Sequence, residues 1–176
     1  MKKSFVCLFS VLLLSISLLA GCGHKADPEL DEYKKEMTDF YDSLGRYDQA
    51  INSIDPQSEG AGAELLSYID QMNESYGKMA GVHIPDAFSG ISDIAIEAAD
   101  YMQKADEFYH QAYDGEFDEN SELLAGQYYQ RANARAMVIL QVLHGEVPEG
   151  EGISVETKST YEFSTIESEN AETDEN

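Results

Sequence analysis

The closest approach to a catalytic spacing in this chain is Glu107 followed three residues later by His110. Glu-x-x-His on a bundle helix is the spacing by which carboxylate-bridged di-iron proteins bring two ligands to one metal. Such a site needs a second copy of the pair and two further inward glutamates, but the other helical candidate, His144, has Gln141 three residues before it. The apolar positions around the pair also turn Glu107 away from the predicted core. We therefore predict no metal ligands and no metal catalysis.

A run of oxygen-bearing side chains crosses a predicted turn at every second position: Asp114, Glu116, Asp118, Asn120 and Glu122. A calcium-binding EF-hand loop would need glycine at its sixth position and a bidentate acid at its twelfth. This chain has Glu119 and Ala125 there. Helix caps and turn residues explain the run more simply, and a low-affinity cation site is the alternative.

Other enzyme motifs are missing from the sequence. His24 and His83 have no neighbour with which to form a proton relay, and there is no Gly-x-Ser-x-Gly, His-Glu-x-x-His, phosphate-binding loop or dinucleotide fingerprint. Glutamate pairs suited to sugar hydrolysis arise by chance among 34 acidic residues. We predict a protein that is not an enzyme, with no catalytic residue and no cofactor; an envelope hydrolase is the disfavoured alternative.

Two sets of side chains could serve binding. The 11 tyrosines outnumber the 7 phenylalanines, and there is no tryptophan. Those expected in the core are Tyr33, Tyr47, Tyr76 and Tyr109, and those off the main apolar stripes are Tyr41, Tyr68, Tyr113 and Tyr128. An exposed tyrosine patch would suit recognition of a peptide, glycan or protein, and packing against a neighbouring helix is the alternative. Arg131 and Arg135 lie one turn apart, and we expect both to pair with acids on neighbouring helices, a small anion site being the alternative.

Four stretches with helical periodicity must position these residues. The first begins at an Asp27 cap with Pro28 in its first turn and ends at Asp55-Pro56. The second follows the polar linker 57–62 and stops at Gly81, the third opens at Pro85, and the fourth starts near Asp118 or Asn120 and stops at Gly145. The apolar seams are Leu30, Tyr33, Met37, Phe40, Leu44, Tyr47, Ile51 and Ile54; Leu65, Ile69, Met72, Tyr76 and Met79; Phe88, Ile91, Ala95, Ala98, Met102, Ala105, Tyr109 and Ala112; and Ala125, Tyr129, Ala132, Ala136, Ile139 and Leu143.

These seams predict an all-α fold, an antiparallel up-down-up-down four-helix bundle over residues 27–145. The alternative is a three-helix core with the first helix packed loosely, since its apolar stripe is the narrowest. The third and fourth helices are lined by alanine, so we expect them to pack closely as a hairpin. Residues 146–176 carry ten acids against the single base Lys158, and we predict a disordered acidic tail. A weak alternation from Ile153 to Phe163 leaves strand addition to a partner's sheet as the alternative.

The first 21 residues have the layout of a secretory signal. Lys2 and Lys3 precede an uncharged, mostly apolar run over residues 5–20, which ends in Leu-Ala-Gly-Cys22. The run is short for a membrane-spanning helix and no basic cluster follows it, so a transmembrane anchor is disfavoured.

The Leu-Ala-Gly-Cys quartet resembles the lipobox of bacterial lipoproteins, and this likeness covers residues 1–22 alone. The resemblance implies cleavage before Cys22 and attachment of diacylglycerol to its sulfur, with further acylation such as palmitate. Two acyl chains would hold the domain stably on the extracytoplasmic face of the cell membrane. Cys7 would leave with the signal peptide, so the mature chain would have no free thiol and no disulfide. Residues 22–26 would form the lipidated tether.

Loss of residues 1–21 would leave 9 basic residues (11 minus Lys2 and Lys3) against 34 acidic ones, a formal charge of −25. Such a charge repels nucleic acid and anionic lipid surfaces, and it favours a cationic or protein partner. The sequence therefore predicts a membrane-anchored extracytoplasmic lipoprotein that binds or scaffolds without catalysis. The alternative is a small-ligand or cation carrier or sensor with a pocket in the bundle.

Overall fold

The computed structural model describes residues 27–150 and 152–155. Its helices are α1 (Pro28–Asn52), α2 (Ala61–Ala80), a short 3-10 helix (Asp86–Ile91), α3 (Ser92–Tyr113) and α4 (Glu119–Leu143), and these residues contain no strand. The prediction of an all-α four-helix bundle is confirmed. The signal sequence, Cys22, the tether up to residue 26 and most of the acidic tail lie outside the described residues.

The helix ends follow from local sequence. The Asp27 carboxylate accepts a hydrogen bond from the backbone N–H of Glu29 at 3.2 Å, and the Asp118 carboxylate accepts one from the N–H of Asn120 at 3.0 Å. At the far end of α4, Gly145 has a φ of 73°, and the N–H of Glu146 donates to the carbonyl of Gln141 at 2.9 Å. Glycine adopts this left-handed conformation without a side-chain clash, so the predicted stop at Gly145 is confirmed.

The start of the third helix differs from the prediction. Pro85 is buried and extended, the next six residues form the 3-10 helix, and the α-helix begins only at Ser92. Gly90 disfavours α-helix in this segment, and 3-10 turns are common at helix N-termini. The arrangement brings the ring of Phe88 within 6.0 Å of the ring of Tyr33 on α1. The segment therefore covers one end of the core.

The most extensive helix contact in the described residues is between α3 and α4. Five alanines with no solvent exposure lie on these two helices: Ala98, Ala105 and Ala112 on α3, and Ala125 and Ala132 on α4. Small side chains allow helix axes to approach closely. The predicted tight hairpin is present.

Helix α1 contributes to the same core, but it contacts α4 through side chains and not through close backbone packing. Tyr33, Met37 and Phe40 are almost fully buried, and α1 packs closely against α2. Its bonds to α4 run through long side chains: the Tyr41 hydroxyl donates to the Ala136 carbonyl at 2.6 Å, and Tyr129 of α4 donates to a carboxylate oxygen of Asp48. The first helix is therefore part of the bundle, although its backbone stays further from α4 than from α2.

A buried tyrosine joins α2 to α4. Tyr76 has no solvent exposure, and its hydroxyl donates to the side-chain oxygen of Asn133 at 2.7 Å. Burial raises the pKa of Tyr76 well above its usual value, so the phenol stays neutral and acts as a donor. This confirms Tyr76 as a core residue with a satisfied polar tip.

Candidate functional site

The bundle interior at the described positions is filled by side chains. Met37, Ile69, Met72, Tyr76, Met102 and Ile139 are the largest of those with almost no exposure. The two best-formed depressions in the described surface are shallow and solvent-open. One, of about 420 Å³, is lined by Asp39, Asp42 and Arg46, and the other, of about 290 Å³, lies where α1 meets Val82 and His83. Their linings contain carboxylates, Asp39 and Asp42 in the first and Glu29, Glu32 and Glu36 beside His83 in the second, but both are open to solvent.

Aromatic rings from two helices meet on the outer side of the α3–α4 hairpin. The ring of Tyr128 stacks on that of Phe108 with centroids 5.6 Å apart and planes 3° from parallel, and it lies 6.2 Å from the ring of Tyr101. Lys104 and Arg131 lie beside the same rings. We call these five residues the aromatic–basic platform.

Both cations of the platform are held by ring faces. The Lys104 ammonium lies 5.6 Å from the Tyr128 centroid, and the Arg131 guanidinium carbon lies 5.3 Å from it. Neither side chain forms an ion pair within the described residues, whereas Lys35 and Lys78 each pair with an acid four residues away. The expectation that Arg131 pairs with an acid is wrong, because the rings that meet at its level offer cation–π contacts instead.

Arg135 forms the ion pair that the sequence predicted, with Glu97 of α3, and lies at one edge of the platform. Its Nε donates to a carboxylate oxygen of Glu97 on α3 at 2.6 Å, and the Tyr101 hydroxyl donates to the other oxygen at 2.9 Å. The bond from Arg135 is the main reason why the pKa of Glu97 is lowered, and the bond to Glu97 is the main reason why the pKa of Tyr101 is raised. The Glu97 carboxylate is thereby bound to Arg135, and Lys104 and Arg131 remain exposed without an acidic partner among the described residues.

The other tyrosines singled out from sequence serve packing. Tyr41 joins α1 to α4, as described above, and the Tyr113 hydroxyl donates to Glu122 at 2.5 Å across the α3–α4 turn. Tyr68 is half-buried. Of the four tyrosines off the main stripes, Tyr128 alone belongs to the platform. A surface aromatic cluster therefore exists, but Tyr101 and Phe108 supply most of it.

A second cluster joins α2 to α3 around His110. Its Nε2 lies 2.8 Å from Oδ1 of Asp70 and 3.9 Å from Oδ1 of Asp106, and its Nδ1 lies 2.8 Å from Oδ2 of Asp114. Asn73 donates to Oδ2 of Asp106 at 2.9 Å. One nitrogen of His110 and one oxygen each of Asp70 and Asp106 all lie within 4.8 Å of one another, a spacing that allows them to share a metal ion.

The acidic groups of this cluster outnumber the single basic group. Hydrogen bonds to Asp70 and then to Asp114 raise the pKa of His110 to about 9, so without a metal ion the imidazole is positively charged at neutral pH. Three carboxylates nevertheless surround this single cation. Burial, and secondarily the Asp70 carboxylate, raises the pKa of Asp106. Oδ1 of Asp106 is buried and has no hydrogen-bond partner within the described residues.

The sequence-derived metal candidates do not assemble. Glu107 is exposed and accepts a hydrogen bond from Gln103 at 3.0 Å, so it does not join His110. In the oxygen-rich run, Asp118 caps α4, and it also accepts a bond from Ser121 at 2.7 Å, while Glu122 accepts from Tyr113. These contacts agree with caps and turn residues as the explanation of the run.

The remaining histidines stay apart from these clusters. His83 is exposed and lies 2.6 Å from Glu29, while His144 is the exposed C-cap of α4. His24 and the lipid-attachment candidate Cys22 lie outside the described residues.

Sequence reasoning missed the cluster around His110 because it tested a three-residue spacing. Asp106, His110 and Asp114 lie four residues apart on one stripe of α3, and this spacing was available as a signal. Asp70 was not, since it is 40 residues from His110 in sequence and reaches it through helix packing.

Comparison of the chain with protein-family models, curated proteins and solved structures finds no match. Within the described residues, none of the helices combines the length and apolar character needed to cross a membrane. The class that the described residues define is thus an antiparallel four-helix bundle with an acidic exterior and two polar clusters on its flanks.

Proposed function

We propose that this chain is a membrane-anchored extracytoplasmic lipoprotein that acts as a non-enzymatic binding or scaffolding module. The sequence around Cys22 supports the anchor, by its resemblance to a lipobox. The aromatic–basic platform supports the binding role and is the observation that carries it. Tyr101 and Tyr128 are half-buried and also pack against the core, but Lys104 and Arg131 are exposed beside them, and Arg and Tyr are enriched at protein interfaces.

The two cations of the platform favour a short acidic segment of a partner protein, and the net charge of −25 predicted for the mature chain favours cationic surroundings for that segment. Lys104 and Arg131 have no acidic partner in the described residues of a chain with 34 acids. An arginine held by a ring face keeps its N–H edge free for a carboxylate. A nucleic acid or an anionic membrane surface is disfavoured, because the whole molecule repels extended polyanions.

The short tether would hold one end of the bundle at the membrane and leave the aromatic–basic platform, on the flank of the bundle, accessible. Only residues 23–26 separate Cys22 from Asp27, and four extended residues span at most about 14 Å. One end of the bundle would therefore lie at the membrane. The platform lies on the flank of the α3–α4 hairpin, where a partner in the extracytoplasmic space or in the same membrane reaches it.

A carrier with a pocket inside the bundle receives less support, because the described interior is filled by side chains. A hydrolase receives less support too, since the carboxylates that line the two depressions of the described surface lie open to solvent and not in an enclosed cleft.

The anchor is tested by exchanging each cysteine in turn in the producing cell. Cys22→Ser removes the lipid-bearing sulfur, so the chain should leave the detergent-extracted membrane fraction and lose incorporation of labelled fatty acid. Cys7→Ser is the matched control, because Cys7 lies within the signal sequence, and it should behave like the wild type. Retention of labelled lipid by the Cys22→Ser chain would contradict the anchor.

The platform is tested by photo-crosslinking in intact cells. A photoreactive phenylalanine analogue replaces Phe108 or Tyr128 in the platform, or the exposed Ile96 or Met137 on other faces of the same helices as controls. We expect a discrete protein adduct from the platform positions alone. Arg131→Glu should abolish that adduct and Arg46→Glu, the same charge change on α1, should not. Equal adducts from all four positions, or adducts that survive Arg131→Glu, would refute this binding surface.

A further inference from the structure

The cluster around His110 contains one nitrogen ligand and two oxygen ligands. His110 and Asp106 lie on α3, and Asp70 lies on α2. We propose that His110, Asp70 and Asp106 form a binding site for a divalent transition-metal ion of the zinc type, which joins α2 to α3. This proposal is independent of the lipid anchor and of the platform, because it uses different residues.

The geometry places the three ligand atoms at metal-sharing distances. Nε2 of His110 and one oxygen of each aspartate lie within 4.8 Å of one another, and Nε2 is 2.8 Å from Oδ1 of Asp70 and 3.9 Å from Oδ1 of Asp106. Ligands bound at about 2.0–2.2 Å around one tetrahedral Zn²⁺ lie roughly 3.3–3.5 Å apart. Small side-chain adjustments therefore suffice, and water would complete the coordination.

Two of the three ligands, His110 and Asp106, are oriented by a further side chain. Asp114 holds Nδ1 of His110 at 2.8 Å and leaves Nε2 directed at the two aspartates. Asn73 holds Oδ2 of Asp106 at 2.9 Å and leaves Oδ1 towards His110. Histidines that bind metals commonly donate their other N–H to a carboxylate in this way, which fixes the ring and raises its basicity.

The buried oxygen of Asp106 is the observation that favours a cation over a simple ion pair. Oδ1 of Asp106 is buried and makes no hydrogen bond within the described residues, and at 3.9 Å it is too far from His110 to accept one. A buried polar atom without a partner is costly, and a metal ion would satisfy it. The ion would displace the proton from Nε2 to solvent and balance two of the surrounding carboxylates.

The donor set indicates the chemical class of the ion. Imidazole nitrogen suits zinc, copper, iron and nickel, whereas calcium and magnesium are bound by oxygen ligands. One nitrogen and two carboxylate oxygens in the mature chain, which has no cysteine thiolate available if Cys22 is lipidated, match zinc best among the common divalent ions.

The test is titration of residues 22–176 with Zn²⁺ alone, in the Cys22→Ser background so that no thiol competes. Calorimetry should give one saturable site, and Co²⁺ in its place should give the visible absorption of a nitrogen- and oxygen-ligated ion. His110→Gln and Asp106→Asn should each weaken Zn²⁺ binding at least tenfold, which is typical for loss of a ligand or its orientation. The matched controls His83→Gln and Asp93→Asn lie outside the cluster and should bind as the parent does.

Circular dichroism melts in the presence of a chelator establish that each variant is folded. Absence of saturable Zn²⁺ binding by the parent chain would overturn the proposal. Zn²⁺ affinity unchanged by both His110→Gln and Asp106→Asn would overturn it as well, since the ion would then be bound by the acidic surface. Ca²⁺ binding as strong as that of Zn²⁺, and insensitive to His110→Gln, would have the same meaning.

Discussion

Close packing at the alanine-lined hairpin can be tested by one substitution made at two positions of α4. Ala132 has no solvent exposure, whereas Ala134 is exposed on the same helix. Replacement by leucine adds three carbon atoms at either position and changes helix propensity equally. A roomy buried site would gain about 0.8 kcal/mol for each added carbon that is buried, or about 2 kcal/mol in all. A close-packed site would lose about 1–3 kcal/mol through strain. The sign of the change therefore distinguishes the two cases.

We expect Ala132→Leu to lower the free energy of unfolding by about 2 kcal/mol and the midpoint temperature by about 4–8 °C. Ala134→Leu should stay within about 0.5 kcal/mol of the parent chain. Urea unfolding of residues 22–176, followed by far-ultraviolet circular dichroism, measures both. If Ala132→Leu stabilises the chain, or if the two variants lose stability equally, α3 and α4 are not closely packed at Ala132.

Three further predictions concern polar contacts of the bundle. Tyr76→Phe removes the bond to Asn133 and should cost about 1–2 kcal/mol in urea unfolding, because a partly buried acceptor loses its donor; an unchanged midpoint would show that this bond is not needed. Asp118→Ala removes the α4 cap and should cost about 1 kcal/mol, with faster hydrogen exchange confined to the first turn of α4; uniform acceleration along the helix would contradict a capping role. Burial raises the pKa of Asp48, so its ionised form weakens the fold above that pKa. Asp48→Asn should therefore stabilise the chain at neutral pH, and this gain should shrink as the pH falls below the raised pKa and be absent below the ordinary pKa of an unfolded aspartate; a gain independent of pH would refute the assignment.

The local sequence predicted the helical elements because helix formation depends on neighbours in the chain. Asp27, Asp118 and Gly145 mark helix ends through bonds within a few residues, and the seams at three- and four-residue spacing supply the buried faces. The late start of the third α-helix has a local cause in Gly90, whereas the packing of Phe88 against Tyr33 of α1 is a tertiary contact that local sequence does not reveal.

Pairs of side chains from different helices could not be predicted in this way. Whether Asp70 meets His110, or Arg131 meets a ring or an acid, depends on the rotation and axial position of each helix within the bundle. Those are set by the sum of many core contacts, to which the polar residues themselves contribute little.

The sequence by itself determined that this is an all-α bundle with an alanine-lined hairpin, because periodicity and side-chain size are properties of single helices. The tertiary structure alone decided that Asp70 of α2 enters the cluster around His110. It also decided that Tyr101, Phe108 and Tyr128 form one surface with Lys104 and Arg131. Contacts between helices depend on how the whole core packs, and no short stretch of sequence contains that information.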